Sequence, residues 1–116
     1  MTTTHHVLTL SLNDDPELIR LYEQYHQPGN VWPEVLASIR AAGIENMQIF
    51  RLETLLVMVL STCNDFSFEK KAELDSSNAK VQEWERLMER FQKVDVSKTD
   101  SAKWQSMPSI FNLLDH

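Results

Sequence analysis

The sequence has few of the residues that mark disulfide-rich, fibrous or linker-rich proteins. Of its 116 residues, one is cysteine, two are glycine and four are proline. A single cysteine cannot form an internal disulfide, so the sequence does not indicate a secreted, disulfide-stabilised scaffold. Cys63 follows closely on an apolar run, which favours a small buried hydrophobic residue. The scarcity of glycine and proline excludes collagen-like and low-complexity chains.

Long apolar runs and an excess of basic charge are also missing. The longest uninterrupted apolar run, residues 55–60, is far shorter than the ~20 residues of a membrane-spanning helix. No basic segment followed by an apolar one opens the chain, so we expect no signal peptide and a cytoplasmic location. The net charge is −6, and the basic stripe typical of nucleic-acid-binding proteins is absent. We therefore expect neither a membrane nor a nucleic acid as a partner.

What is present is the composition of an ordinary globular protein. Hydrophobic residues make up 42% of the chain and charged residues 24%, which is typical of proteins with a buried core. A chain of 116 residues buries roughly two thirds of the surface that its unfolded form exposes. We therefore expect residues 1–116 to form one domain with a small core.

The spacing of apolar residues predicts a strand, two helices and a hairpin in the first half of the chain. Apolar and polar residues alternate over residues 6–12, as in a strand. Asp15 followed by Pro16 predicts the start of a helix that ends near residue 26. Pro33 predicts the start of a second helix and Gly43 its end. Residues 47–52 and 55–62 are strand-like and only two residues separate them, which predicts a hairpin.

The second half of the chain predicts one long helix and one further strand. Residues 64–74 are expected to form a turn and a short helix, and Ser76, Ser77 or Asn78 to cap the next helix. The apolar stripe of that helix recurs every three or four residues, at Val81, Trp84, Leu87, Met88 and Phe91. Residues 93–103 are polar and predict a loop, and residues 110–114 predict the last strand. With the first two helices counted as one crossover, the order is βαββαβ, which predicts a ferredoxin-like α+β fold with helices on one face of an antiparallel sheet.

Short motifs for cofactors and metals are absent from the sequence. We find no dinucleotide-binding GxGxxG, no phosphate-binding P-loop, no CxxC, no HExxH and no GxSxG. His5 and His6 are adjacent, and on a strand their side chains point to opposite faces, so a shared metal is not expected. The sequence therefore predicts neither a cofactor nor a metal.

Tyr22 and His26 form the most informative pair of polar side chains. They are four residues apart, so both project from the same side of the first predicted helix. An imidazole exchanges a proton near neutral pH, and a phenol donates hydrogen bonds. By spacing alone, a structural interpretation is favoured over a catalytic one: Tyr22 would be a core residue, and His26 would be stabilised by the helix dipole.

Three tryptophans and several acidic residues are further candidates. Carbohydrate sites often place an aromatic ring against the apolar face of a sugar, but tryptophans on a helical stripe more often belong to the core. Trp84 lies at the centre of such a stripe, and Trp104 is expected to act as a lid or a packing residue. Acidic residues that could join a proton relay are Glu34, Asp75 and Glu85. No spacing among them singles out a catalytic pair.

Taken in order, six segments of the chain resemble the L-rhamnose mutarotase family. They read YEQYH, WPEV, NMQIF, LLVMVL, VQEWERLM and W..MPSIFNL, and together they extend over nearly the whole chain. The most specific are the Tyr-x-x-x-His element, the Trp-Pro-Glu helix start and the Gln-x-Trp helix. Each is short, and their shared order and spacing carry the resemblance.

The resemblance implies an enzyme that needs no cofactor or metal. Members of the family fold as a dimeric ferredoxin-like α+β barrel and interconvert the α and β anomers of a 6-deoxy-L-sugar at C1. The motifs assign His26 as the acid/base residue and Tyr22 as its partner, and leave open which of the two contacts the ring oxygen. They place Trp84 against the sugar, with Trp32 and Glu85 also in the binding site. This implies a monosaccharide substrate, L-rhamnose or L-fucose, and a homodimer.

Two departures from the family pattern fall near the implied sugar site. Glu85 replaces the second tryptophan of a tandem Trp-Trp, and the stretch QPGNV between His26 and Trp32 is longer than usual. Two alternative functions stay open at this point. One is a cofactor-free monooxygenase or isomerase of the same dimeric fold acting on aromatic or polyketide substrates. The other is a sensing or interaction domain in which Tyr22 and His26 only pack.

Overall fold

The computed structural model describes residues 3–93 and 104–116 of the chain. Four strands and four α-helices follow one another in these residues. Their bounds are β1 Thr4–Ser11, α1 Pro16–Tyr25, α2 Pro33–Ala41, β2 Ile44–Leu52, β3 Leu55–Thr62, α3 Phe68–Ser76, α4 Ala79–Glu89 and β4 Gln105–Ser106. A short 3-10 turn, Leu113–Asp115, lies close to the C-terminus. In these residues, no helix is both long enough and apolar enough to span a bilayer.

The four strands form one antiparallel sheet in the order β2-β3-β1-β4. Met58 of β3 pairs with Leu8 of β1 on one side and with Ile49 of β2 on the other. Helices α1 and α2 connect β1 to β2, and α3 and α4 connect β3 to β4. This is the ferredoxin-like α+β topology that the sequence predicted, with two helices in each crossover.

Local sequence signals determine where the helices begin. The side chain of Asp15 accepts hydrogen bonds from the backbone N–H groups of Glu17 and Leu18, and Pro16 is the first residue of α1. Pro33 is likewise the first residue of α2, where the N-cap residue Trp32 makes no side-chain hydrogen bond to the helix. Asn78 caps α4, so the third of the three predicted capping residues is the one used. These predicted helix starts are confirmed.

The apolar residues of the central strands alternate between a covered and an open face of the sheet. Apolar side chains of the helices, among them Tyr22, Val35, Trp84 and Met88, cover one face of the sheet. The buried residues on this face are Leu8 and Leu10 of β1, Leu12 directly after it, and Leu56, Met58 and Leu60 of β3. On the opposite face, Phe50 is 55% exposed, Leu52 73% and Leu55 41%. The pleat therefore leaves apolar side chains in solvent on the open face.

Two tight connections join the middle elements of the chain. Glu53 and Thr54 form the predicted two-residue hairpin loop between β2 and β3, and Glu53 has a positive φ of 53°. Between α2 and β2, Gly43 has a φ of 93°, and a Cβ at this position would lie 2.7 Å from the Sγ atom of Cys63. Only glycine satisfies both the backbone angle and the space at Gly43. Cys63 is half-buried and has a free thiol, whereas the sequence favoured a buried residue.

The last strand lies earlier in the chain than the sequence predicted. The prediction of a strand over residues 110–114 is wrong, because the pairing with β1 is made by Gln105 and Ser106 of β4. Ile110 is 97% exposed and Leu114 91%. An apolar run does not reveal which residues reach the free edge of β1, since edge pairing depends on distant parts of the chain.

Two further predictions fall in the connections after β3 and α4. Phe68–Ser76 forms a nine-residue helix where a turn and a short helix were expected. Ser67 caps it by accepting a hydrogen bond from the backbone N–H of Lys70. The predicted loop over residues 93–103 lies outside the described residues except for Lys93, whose backbone N–H donates to the carbonyl oxygen of Ser11.

Candidate active site

A cavity lies between the covered face of the sheet and the helices. Its volume is about 710 Å³, within the range of ~300–1,000 Å³ typical of small-molecule sites. The sequence-predicted residues Tyr22, His26, Trp84 and Glu85 all line it. The candidate active site therefore draws its side chains from α1 and α4, over a floor formed by the sheet.

Tyr22 and His26 stand one helical turn apart on α1 and face the same cavity. Their ring centroids are 4.3 Å apart with the ring planes tilted by 32°. Tyr22 is only 4% exposed, and its ring also packs edge-on against Phe91 at 6.0 Å. The helix therefore holds a phenol and an imidazole in direct contact at the wall of the cavity.

A hydrogen bond to the backbone fixes the tautomer of His26. Its Nδ1 atom lies 2.7 Å from the carbonyl oxygen of Tyr22. A carbonyl oxygen can only accept, so Nδ1 donates, and in the neutral ring Nε2 carries the lone pair. Burial lowers the pKa of His26, and the hydrogen bond to Tyr22 opposes this in part. His26 is therefore neutral at pH 7, with Nε2 able to accept a proton.

Burial shifts the pKa of Tyr22 in the opposite direction from that of His26. It raises the pKa of the Tyr22 phenol, because an ionised oxygen would lose its hydration. The hydroxyl therefore keeps its proton at every physiological pH. The site presents a hydrogen-bond donor and a neutral base side by side.

Trp84 is surrounded by other aromatic rings. It is 8% exposed and makes edge-to-face contacts with Trp32 at 5.2 Å, His26 at 5.6 Å and Tyr25 at 6.2 Å between ring centroids. Such contacts fix the orientation of its indole ring. Trp32, by contrast, is not among the described residues that line the cavity. Its ring lies against Trp84, with the Nζ atom of Lys80 5.7 Å from the ring centroid.

Polar side chains from α2, α3 and α4 form another part of the wall. The Nζ atom of Lys71 lies 2.5 Å from Asp75 Oδ2, and the hydroxyl of Ser38 donates to Asp75 Oδ1 at 3.3 Å. Glu85 is half-buried and accepts a hydrogen bond from Gln82 Nε2 at 3.4 Å. Of these cavity residues, the sequence singled out Asp75 and Glu85, and it missed Lys71 and Ser38. The signal for Lys71 was its four-residue spacing from Asp75.

Sequence reasoning also missed Gln92. It lines the cavity, is 6% exposed, and its Oε1 atom has no hydrogen-bond partner among the residues that the structure describes. Leaving a buried carbonyl oxygen without a partner costs about 1–3 kcal/mol. The available signal was spacing, because Gln92 continues the series of Trp84 and Met88 at intervals of four residues.

Trp104 completes the cavity from the far end of the chain. It is half-buried, lines the cavity and packs against both apolar clusters of the core. Of the two expected roles, lid or packing, its contacts are those of a packing residue. The candidate acid Glu34 lies away from this cavity, in a shallow surface depression beside Leu74.

The two histidines near the N-terminus belong to different surroundings. The Nδ1 atom of His5 lies 3.1 Å from the hydroxyl of Ser61. His6 instead contacts the rings of Phe66 and Phe68, at centroid distances of 5.6 and 5.0 Å. Within residues 3–93 and 104–116, no three His, Cys, Asp or Glu side chains come together in a way that could hold a metal ion.

Comparisons of the sequence with known proteins identify one family. Residues 5–113 match the model of the L-rhamnose mutarotase family. An L-fucose mutarotase of Xanthomonas campestris pv. campestris is 42% identical over 104 residues, covering 90% of this chain and 83% of that protein. A UPF0734 protein of Dictyostelium discoideum is 37% identical over 111 residues, covering 90% and 85%.

Comparisons of the structure identify the same fold. An L-rhamnose mutarotase of Formosa agariphila superimposes with a TM-score of 0.68 at 16% identity, covering 95% of this chain and 98% of that one. A dimeric ferredoxin-like protein from an uncultured marine organism gives a TM-score of 0.54 at 15% identity, with 97% and 93% covered. At these identities the similarity shows a shared fold.

Proposed function

Because the chain belongs to the L-rhamnose mutarotase family and is an isomerase, we propose that it interconverts the α and β anomers of a 6-deoxy-L-sugar, L-fucose or L-rhamnose. The observation that carries this proposal is the contact between neutral His26 and protonated Tyr22 at the wall of a cavity of small-molecule size. The comparisons do not favour the monooxygenase or the sensing domain.

In this proposal, ring opening needs one proton acceptor and one proton donor. Nε2 of His26 accepts the proton of the C1 hydroxyl, and the electrons of that O–H bond form the C1 carbonyl. The C1–O5 bond breaks, its electron pair passes to O5, and the Tyr22 hydroxyl protonates O5. Rotation about the C1–C2 bond then presents the other carbonyl face, and closure reverses both proton transfers.

The contact between the two rings favours such a paired transfer. Burial opposes a lone phenolate at Tyr22 and a lone imidazolium at His26. When both protons move together, opposite charges form on two side chains whose ring centroids are 4.3 Å apart, and these charges attract each other. The net charge of the site stays constant, so the desolvation penalty is partly offset.

Trp84 supports the sugar in this proposal. Its indole ring is fixed by three aromatic neighbours and offers an apolar surface to the C–H groups of a pyranose. Trp32 acts through Trp84 as a positioning residue. Glu85 supplies a hydrogen-bond acceptor where the family resemblance expects a second tryptophan.

We further propose that two copies of the chain associate through the open face of the sheet. Phe50, Leu52 and Leu55 expose large apolar side chains there, and a second sheet packed about 10 Å away would cover them. The large apolar residues after β4, among them Ile110 and Phe111, are exposed as well. The proposed substrate is a monosaccharide, and the cytoplasmic location stays a prediction of the sequence.

Anomer exchange measured by NMR on L-fucose and L-rhamnose tests the proposed reaction. The substitutions His26→Gln and Tyr22→Phe should each reduce the exchange rate ~10²- to 10⁴-fold, since each removes one proton-transfer group. His5→Gln and Tyr25→Phe are matched controls, because neither side chain lines the cavity. Unaccelerated exchange of every 6-deoxy sugar by the wild-type protein would refute the proposal.

A further inference from the structure

Gln92 is the residue of the cavity whose position is least explained by the fold. Gln92 lines the cavity, and its Oε1 atom is buried without a hydrogen bond from any described residue. Buried amide oxygens in folded proteins nearly always have a partner. The described residues leave this oxygen open to a donor such as water or a molecule that occupies the cavity.

The backbone around Gln92 is held in place by hydrogen bonds on both sides. Residue 92 forms an isolated antiparallel bridge with Leu12. On either side of it, the N–H of Asn13 donates to the carbonyl oxygen of Phe91 and the N–H of Lys93 donates to that of Ser11, both at 2.9 Å. This anchoring fixes the point on the backbone from which the Gln92 side chain extends.

The chemistry of the cavity limits what the donor can be. The proposed mechanism uses His26 and Tyr22 at C1 and O5, and Trp84 takes an apolar face of the ring. The other groups of a 6-deoxy pyranose that can donate a hydrogen bond are the secondary hydroxyls at C2, C3 and C4. L-fucose and L-rhamnose differ in configuration at C2 and C4, so a fixed acceptor at either position distinguishes the two sugars.

We infer that Gln92 is a specificity-determining residue whose Oε1 accepts a hydrogen bond from the C2 or C4 hydroxyl of the substrate. This rests on the proposed function. Gln92 touches the substrate away from the reacting atoms, so it contributes to binding and selects one sugar. A site that hydrogen-bonds a hydroxyl discriminates strongly against sugars that lack it or point it elsewhere, because its buried oxygen would stay unpaired.

The substitution Gln92→Met tests the inference, since methionine has a similar length and no amide oxygen. Against the preferred sugar, kcat/KM should fall about 10- to 100-fold, mainly through KM. Against the other sugar, kcat/KM should change less, so the ratio of the kcat/KM values for the two sugars should become smaller. Gln24→Met, on the exposed side of α1, is the matched control and should leave both values unchanged.

Substrate analogues locate the contact. The 2-deoxy and 4-deoxy forms of the preferred sugar each lack one hydroxyl, and Gln92→Met should cost nothing further with the analogue that lacks the contacted one. Calorimetry on His26→Gln measures the affinity for each sugar. Adding Gln92→Met to this variant should lower the affinity for the preferred sugar by a similar factor. An equal loss with both analogues and the parent sugar would overturn the inference.

Thermal unfolding of the ligand-free protein separates this role from a structural one. Replacing an unpaired buried oxygen by an apolar group of similar shape should leave Tm unchanged or raise it, while affinity falls. A structural glutamine would lower Tm and activity together, and that result would overturn the inference. So would Gln92→Met with unchanged kinetics on both sugars, which would assign the donor to water. If the wild type exchanges no 6-deoxy sugar, the proposed function fails and the inference with it.

Discussion

The Nδ1 atom of His26 lies 2.7 Å from the backbone carbonyl oxygen of Tyr22, one helical turn earlier. This contact joins the side chain of His26 to the backbone of Tyr22. It fixes which nitrogen of His26 carries the proton, and it directs the lone pair of the neutral ring to Nε2. The helix therefore determines both the distance between the two groups and the tautomer of the base.

The exchange rate should depend on pH through His26. The base form of His26 is neutral, and burial holds its pKa below the ordinary value of about 6.5. The rate should therefore be constant near neutrality and fall only as the pH drops below about 6.5. NMR exchange rates, corrected for exchange in buffer alone, measure the profile, and titration of the His26 ring protons gives the pKa independently. An acid limb centred above pH 6.5 would contradict this assignment.

The stability of the fold should depend on the same group. Because the pKa of His26 is lower in the folded than in the unfolded chain, the unfolded chain binds more protons between the two values. The free energy of unfolding should therefore fall as the pH drops through about 6.5 and level off below the folded-state pKa. Urea unfolding at several pH values measures this slope, which should be smaller in His26→Gln. An equal pH dependence of the free energy of unfolding in His26→Gln would mean that other groups cause it.

Tyr22 should cause a second pH dependence of the free energy of unfolding, at high pH. Its pKa is raised in the folded chain, so above pH ~10 the unfolded chain loses a proton that the folded chain keeps. The free energy of unfolding should decrease as the pH rises through this range. Comparison with Tyr22→Phe isolates the contribution of this phenol, and Tyr25→Phe is the control. Ultraviolet absorbance of tyrosinate should show Tyr22 ionising only on unfolding.

Gly43 should tolerate substitution less well than Gly29. Both have positive φ, but a Cβ at Gly29 meets nothing within 4 Å, whereas one at Gly43 lies 2.7 Å from Cys63 Sγ. Gly29→Ala should destabilise by about 1 kcal/mol and Gly43→Ala by about 2–3 kcal/mol. Adding Cys63→Ala should recover part of the second loss in a double-mutant cycle followed by urea unfolding. Equal losses at both glycines would mean that backbone strain alone matters.

Substitutions on the open face should separate the proposed dimer. The double variant Phe50→Lys with Leu52→Lys would place charges in an apolar contact and should give monomers. Leu74→Lys is the control, since Leu74 is 41% exposed but lies on α3, away from the open face. Light scattering after size-exclusion chromatography measures the mass of each. A wild-type protein that is monomeric at assay concentration would refute this mode of association.

Local signals in the sequence were sufficient for most of the fold. Asp15, Pro16 and Pro33 act within their own helical turns, so the starts of α1 and α2 follow from neighbouring residues. The hairpin follows from two strand-like runs separated by Glu53 and Thr54. The position of β4 does not follow from neighbouring residues. The residues that pair with β1 are determined by how the preceding chain returns to the sheet.

The residues of the candidate site also differ in whether local sequence predicts their position. Tyr22 and His26 lie on one helix, so their spacing alone places them side by side, and Trp84 joins them as the resemblance implied. Gln92 could not be found by type or motif, because an unpaired buried oxygen exists only once distant segments have packed around it. Trp32 is the opposite case. It lies close to His26 in the sequence, but its ring packs against Trp84 and is not among the described residues that line the cavity.

Helix α1 ends directly before His26, the residue proposed as the base. His26 is its C-cap, and residues 27–31 lead from there to α2, ending at Val31 on the cavity wall. Insertions or deletions in this connection reshape the rim without altering the one-turn separation of Tyr22 and His26. In the proposed enzyme, the length of this connection can therefore change without moving the proposed acid and base apart, because the loop begins where the helix ends. The extended QPGNV stretch of this chain lies on the loop side of that helix end.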